Sequence, residues 1–310
     1  MANMTARKKL VVTGAHGFVA GSILAQAGDE WQVHAISRGD PLVRRDNLCW
    51  HTFDPLAPDE LVQIIRDAAP EVVVHTAALA DIDLCQTHPE IARAINVDLT
   101  RRVANVCTDT GCKLVFCSTD TIFDGERAPY NENDIPGPVN FYAETKVEAE
   151  QIVARLDPQA VIARLSLVVG LPVLGAGNSF LNRMLAAFID GRTVAVPEHE
   201  VRTPVDVITV GRALLELAGG NHHGIFHLSG HDRLSRFRMA QQIAVRFGFP
   251  GHLVVAQAEA ATPGRAARPR DVSLDNGKAC ANLKTPMRTL DEGLSLILKG
   301  AANQEQSEAR

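Results

Sequence analysis

The chain has 310 residues, 46% of them hydrophobic and 22% charged, enough apolar material for one large or two modest domains around a buried core. Its formal net charge is -5, and its basic clusters, Arg7-Lys8-Lys9, Arg44-Arg45 and Arg101-Arg102, are short. That balance argues against nucleic acid or an anionic membrane surface as a partner.

Short apolar runs alternate with helical segments from the start. Leu10-Val11-Val12 reads as a strand, and Thr13-Gly14-Ala15-His16-Gly17-Phe18-Val19-Ala20 as a tight turn entering a helix. Gly14 permits the turn and Gly17 a close backbone approach, the arrangement in which a dinucleotide's pyrophosphate meets a helix N-terminus. Gly14, His16, Gly17, Phe18 and Val19 are therefore expected at a cofactor. The second strand, Gln32 to Ile36, leads into Ser37-Arg38, where an NAD-specific enzyme usually carries an acid. A hydroxyl and a guanidinium suit a 2′-phosphate instead, so NADP(H) is the preferred cofactor, and Asp40 lies near enough to leave NAD(H) open. Asp54, in Phe53-Asp54-Pro55, is placed to receive the adenine amino group or to make the turn before Pro55.

Asp59 to Ala68 and Ile91 to Asp109 are amphipathic and read as helices, while Val72-Val73-Val74, Lys113 to Cys117 and Ala160 to Ala163 read as strands. Strands apolar on both faces, alternating with helices, imply an α/β fold built on a doubly wound parallel sheet, a Rossmann fold. Ser118-Thr119-Asp120 closes one of these strands, and Tyr142 to Leu156, rich in Ala, Glu, Lys, Val and Gln, reads as a helix. Tyr142 and Lys146, four positions apart, share one face of it. The Lys146 ammonium and a positive nicotinamide ring are expected to pull the Tyr142 phenol below its ordinary pKa of roughly 10, making it a proton donor to a carbonyl.

After about Gly170 the text is punctuated by Pro and Gly, with a helix expected over Ser179 to Ile189. Residues 1–168 are read as the cofactor-binding domain. Residues 169–300 are read as mainly a smaller C-terminal α/β substrate lobe, with segments at about 202–228 returning to the sheet. Residues 301–310 are read as a polar, frayed tail. The six cysteines form no C-x-x-C pair, no apolar run is long enough for a membrane helix, and Met1 to Lys9 lacks the apolar core of a secretory signal. A reducing, cytoplasmic setting is expected. His222-His223 lies in a Gly/Asn turn without a third ligand at helix or strand spacing, so no metal is expected.

Several segments resemble the extended short-chain dehydrogenase/reductases, and among them the dTDP-4-dehydrorhamnose reductase group. They are Ser118-Thr119-Asp120-Thr121-Ile122-Phe123-Asp124-Gly125, Pro129-Tyr130-Asn131-Glu132, Pro138-Val139-Asn140-Phe141-Tyr142, Arg164-Leu165-Ser166, Arg202-Thr203-Pro204, Gly224-Ile225-Phe226-His227-Leu228 and Arg268-Pro269-Arg270. The resemblance implies that Thr119 hydrogen-bonds the substrate carbonyl, that Tyr142 gives the proton, and that Lys146 holds the nicotinamide ribose. It also implies that His75, Ala77 and Ala78 flank the cofactor. Asp120, Arg202 and Arg268 are candidates for the substrate, the two arginines as clamps on a nucleotide diphosphate.

The reaction implied is NADPH-dependent reduction of a nucleotide-linked 4-keto-6-deoxysugar, on a small-molecule substrate, with a homodimer as the assembly compatible with it. Thr121 and Leu167 stand where the group commonly has aromatic residues, so a differently shaped sugar pocket is expected. One alternative is a sugar-nucleotide epimerase or dehydratase, although a dehydratase usually has an acid and a base after the hydroxyl position, and here Asp120 is the single acid there. The other is a non-catalytic nucleotide-binding regulatory subunit like that of methionine adenosyltransferase.

Overall fold

Runs that are apolar on both faces have to be covered twice, and a sheet with helices on each side does this. The computed structural model describes residues 7–54, 57–174, 179–257 and 265–308. Its strands are β1 (Lys8–Thr13), β2 (Trp31–Ser37), β3 (Leu48–Thr52), β4 (Val72–His75), β5 (Lys113–Thr119), β6 (Val161–Leu165) and β7 (Val168–Val169). They continue with β8 (Val194–Pro197), β9 (Val201–Arg202), β10 (Val205–Asp206), β11 (Gly224–Leu228), β12 (Leu234–Ser235) and β13 (Val254–Gln257). The seven-stranded sheet runs β11-β6-β5-β4-β1-β2-β3, with each neighbouring pair parallel. The winding reverses at β1, between β2 and β4, which opens a crevice beyond the carboxyl ends of β1 and β4.

The helices are α1 (Phe18–Gln26), α2 (Pro58–Ala68), α3 (Ile82–Thr87), α4 (Pro89–Arg93), α5 (Leu99–Thr110), α6 (Phe141–Leu156), α7 (Phe180–Ile189), α8 (Val207–Gly219), α9 (Arg236–Arg246), α10 (Gly277–Asn282) and α11 (Leu290–Glu308). The two-residue period of a strand sends alternate side chains to opposite faces. Leu10 and Val12 of β1 join Ile23, Leu24, Leu214 and Leu217 under α1 and α8. Val11 faces the other way, with Leu61, Ile65, Val103 and Val153 under α2, α5 and α6. On the first face Ser22 donates a 2.7 Å hydrogen bond to the Val207 carbonyl, and Gly211 lets the two helices meet: a Cβ there would come within 2.6 Å of Ser22 Oγ. A third core, with Leu181, Met184, Phe188, Met239, Ile243 and Leu294, lies among α7, α9 and α11. Around it lie the pairs β7–β10, β9–β12 and β8–β13.

Three elements differ from expectation. β3 was not legible, because Leu48-Cys49-Trp50-His51-Thr52 buries little: it is an edge strand paired only to β2 in the sheet. The single helix expected over Ile91 to Asp109 is α4 and α5 joined by a π-helical turn, Ala94–Asp98. The tail expected to fray from residue 301 continues α11 to Glu308, consistent with its helix-forming Ala, Gln and Glu. Among the described residues no helix is long and apolar enough to cross a membrane.

One buried ion pair fastens α6 to the sheet. Arg164 of β6 donates from Nη2 to Glu150 Oε2 at 2.8 Å, with its Nε 3.1 Å from Oε1, and the side chains are 3% and 7% exposed. Removing one partner would leave the other charge buried and unpaired. Glu150→Ala is expected to lower the unfolding free energy by about 3–5 kcal/mol in denaturant melts, and the double change Glu150→Leu with Arg164→Met to recover much of that loss.

Candidate active site

At the end of β1 the chain turns through Gly14, whose φ is +68°. A Cβ there would lie 2.8 Å from Ala77 Cα, so the backbone after β4 could not approach. Ala77 and Ala78 lie half-buried along that edge, and Ala77 N–H donates to Thr13 Oγ1 at 3.3 Å. Gly17 is the N-cap of α1 and is exposed. Among the described residues no side chain caps this helix, so its first N–H groups, beside half-buried Phe18 and Val19, remain available to an anionic acceptor. His16 hydrogen-bonds the Asp40 carbonyl at 2.9 Å, with its ring 5.5 Å from that of Trp50. Arg38 and Asp54 are exposed beyond the ends of β2 and β3, while Ser37 is buried, its hydroxyl 3.4 Å from the Gly39 carbonyl.

His75 corrects an expectation. It has no exposed surface, and its ring nitrogens are held by Thr13 Oγ1 at 2.7 Å and Thr100 Oγ1 at 3.1 Å. Enclosed in this way it supports the ends of β1 and β4 instead of flanking a ligand directly. Burial, with the nearby Lys146 charge acting in the same direction, lowers its pKa to about 3.

Thr119, Tyr142 and Lys146 converge where β5 meets α6. Asn140 caps α6, accepting from Ala143 N–H at 2.9 Å, and donates to the Ala267 carbonyl at 2.9 Å, so the start of the helix is tied to the chain before Arg268. Tyr142 and Lys146 are 8% and 2% exposed. Lys146 Nζ donates to the Cys117 carbonyl at 2.7 Å and lies 4.1 Å from the centre of the Phe116 ring. Burial lowers its pKa to about 8, with Cys117 and Glu150 acting in the opposite direction. Burial raises the Tyr142 pKa well above the ordinary value, and the Thr119 hydrogen bond only partly offsets this. With its pKa raised by burial, the Tyr142 phenol keeps its proton near neutrality.

Behind Thr119 lies a polar network. Burial raises the Asp120 carboxyl, opposed by Arg202, 3.9 Å away, and by the Thr119 and Ser166 hydroxyls. Thr203 donates to Ser166 at 3.2 Å. Arg202 is 5% exposed and donates from Nη1 to the Val201 carbonyl at 2.7 Å. Glu200 gathers Arg202 at 3.9 Å, Arg236 at 3.3 Å and Arg265 at 2.6 Å, while Arg268 pairs with Asp83 at 2.9 Å.

Two supports escaped the sequence reading. Asn96, in the π-turn, accepts from Leu79 N–H at 2.8 Å and donates to Thr145 Oγ1 at 3.0 Å, tying the turn to α6. Only the fold brings these residues together. Asn140 was findable, since Asn before a helical run is a capping signal. Among the described residues no group of three or more His, Cys, Asp or Glu is placed to hold a metal ion.

A doubly wound sheet, a glycine turn after its first strand and a Tyr-x-x-x-Lys helix facing a threonine define an extended short-chain dehydrogenase/reductase. The chain belongs to the RmlD substrate binding domain family, which it matches over residues 8–303. It is similar to methionine adenosyltransferase 2 subunit beta of Bos taurus, at 30% identity over 290 residues, covering 90% of this chain and 82% of that one. It is likewise similar to dTDP-4-dehydrorhamnose reductase of Sinorhizobium fredii, at 30% identity over 243 residues, 76% of this chain and 77% of that one. Its fold superposes with a TM-score of 0.82 on the crystal structure of dTDP-4-dehydrorhamnose reductase from Bacillus anthracis in complex with NADP. That match is 23% identical and covers 94% of this chain and 99% of the other.

Because His75 stays neutral in the folded protein down to about pH 3 but takes a proton near 6.5 when unfolded, acid favours the unfolded state. Between pH 6 and 4 the unfolding free energy is expected to fall by up to about 1.4 kcal/mol per pH unit on account of this residue. In pH-dependent denaturant melts, His75→Gln should flatten that slope.

Proposed function

We propose that this protein is an NADPH-dependent reductase that converts a carbonyl to an alcohol, with a nucleotide-linked 4-keto-6-deoxysugar as its substrate. The convergence of Thr119, Tyr142 and Lys146 at the end of β5, in the same sheet as the glycine turn after β1, carries the reading. The likeness to the Sinorhizobium fredii reductase supports the substrate class, and the NADP complex of the Bacillus anthracis protein the cofactor.

NADPH, when bound, supplies a hydride to the carbonyl carbon. The glycine turn and the uncapped start of α1 fit its pyrophosphate, and Ser37 and Arg38 the 2′-phosphate; Asp40 keeps NADH as a weaker alternative. Thr119 donates a hydrogen bond to the carbonyl oxygen. As the C=O electron pair moves to that oxygen, Tyr142 gives it a proton, leaving an alcohol and a phenolate that solvent reprotonates. Burial suits Tyr142 to this role by keeping it protonated until the oxygen becomes basic. Lys146 holds the ribose hydroxyls and favours the phenolate. Arg202 and Arg268, with Arg236 and Arg265, bring four cations against the three carboxyl groups of Glu200, Asp83 and Asp120, a balance that suits a diphosphate. A cytoplasmic setting belongs to the same proposal and is supported by six free cysteines.

A second reading, a nucleotide-binding subunit of a larger enzyme, is favoured by the likeness to methionine adenosyltransferase 2 subunit beta. Co-purification of a partner, with no reduction of any 4-ketosugar, would establish it over the first.

Tyr142→Phe is expected to slow reduction roughly a thousandfold while leaving the NADPH dissociation constant, read by cofactor fluorescence, nearly unchanged. Retained turnover would remove Tyr142 from the reaction, and a wild-type protein that binds no NADPH would end the reductase reading. Lys146 carries its charge below about pH 8 and loses it above. NADPH affinity should therefore weaken as pH rises through about 8, and Lys146→Met should abolish that dependence.

A further inference from the structure

The chain leaving β2 carries Ser37 and Arg38, the groups that would separate NADPH from NADH. Among the described residues, the main chain from Arg38 to Val43 makes no hydrogen bond to main chain elsewhere. Two side chains hold this loop instead. Trp50 Nε1 donates to the Val43 carbonyl at 2.8 Å, and His16 Nε2 lies 2.9 Å from the Asp40 carbonyl. The two rings stand side by side, their centres 5.5 Å apart.

A carbonyl oxygen only accepts, so Nε2 carries the ring proton in this contact and His16 is the donor. The ring also lies against Gly39, where a Cβ would stand 3.3 Å from Cε1 and 3.5 Å from Nε2. Gly39 and Asp40 are thereby fixed to the glycine turn after β1, and the backbone of Arg38 takes its place from theirs. Arg38 is exposed and its long side chain has many rotamers, so the position of its backbone is what the fold can set.

We propose, on the NADPH reading above, that His16 is a positioning residue for cofactor selection. Its Nε2–H pins the loop at Asp40 so that Ser37 and Arg38 meet the 2′-phosphate. A guanidinium and a phosphate pair well only within a narrow geometry, so a loosened loop weakens that contact directly. NADH has no 2′-phosphate and depends on the pyrophosphate site at the start of α1 and on Lys146, which both cofactors share. His16 therefore acts on NADPH through the loop and leaves NADH nearly untouched.

The test measures the dissociation constants of NADPH and NADH by cofactor fluorescence on the full chain. His16→Phe keeps a ring against Gly39 and Trp50 and removes the N–H, and His16→Ala is a second variant lacking it, should the first fold poorly. Each is expected to weaken NADPH binding roughly fivefold, the size of one lost hydrogen bond, with NADH changed by less than about twofold. His16→Gln, which offers an amide N–H in place of Nε2–H, should recover most of the affinity. Added to Arg38→Ala, His16→Phe should cost NADPH less than about twofold further, because the loop then has no guanidinium to place. An unchanged NADPH constant in both variants lacking the N–H would overturn the inference. So would equal losses for the two cofactors, the result expected if His16 touched the shared pyrophosphate. A Gln variant as weak as the Phe variant, or the full loss repeated on top of Arg38→Ala, would overturn it as well, and each of these outcomes leaves the NADPH reading standing. A wild-type protein that binds NADPH no more tightly than NADH would bring down that reading, and this inference with it.

Discussion

Lys146 must keep a charge in a place almost closed to water, and the site is organised around how it does so. Its ammonium rests on the Cys117 carbonyl and over the Phe116 ring, both part of β5, so helix and strand are held at one spacing and one rotation. Burial lowers its pKa to about 8, with Cys117 and the nearby Glu150 acting in the opposite direction. Tyr142 is one turn away on the same helix. Its position against Thr119 follows from that anchor, as does the need to cap α6 at Asn140 and to brace it through Thr145 and Asn96.

The two charged groups of α6 that point inward do different work. Glu150 is matched by Arg164 in a multidentate pair that secures the helix to β6. Among the described residues Lys146 has no carboxylate in direct contact and rests on a backbone dipole and a ring face, which leaves its charge open to titration and to recruitment by ribose hydroxyls. Stability and chemistry are thus separated along one helix by a single turn.

Much of this was legible in the residues. The apolar runs at Leu10, Gln32, Val72, Lys113 and Ala160 became strands, because a run apolar on both faces has few other stable placements. The Gly14 turn and the Tyr142–Lys146 spacing were local patterns, and local patterns survive folding. What escaped depended on neighbours distant in sequence. His75 looked like a ligand-facing residue until Thr13 and Thr100 closed over it. The burial that raises the Tyr142 pKa comes from packing between α6 and the end of β5, which the local pattern does not show. Arg202 is buried among Glu200, Asp120 and backbone carbonyls, an environment that no sequence neighbour announces.

The contact between α1 and α8 bears on how the protein comes into being. Ser22 and Val207 are 185 positions apart, an interval that a ribosome crosses in on the order of 10–40 s. During that time the helix carrying the glycine turn has emerged while the helix that shields one of its apolar sides has not. The nascent chain therefore passes through a period in which Ile23 and Leu24 lack the α8 residues they pack with. Cofactor affinity arrives late in synthesis, and a chain stopped before α8 would hold the turn's residues without the packing that makes them a site.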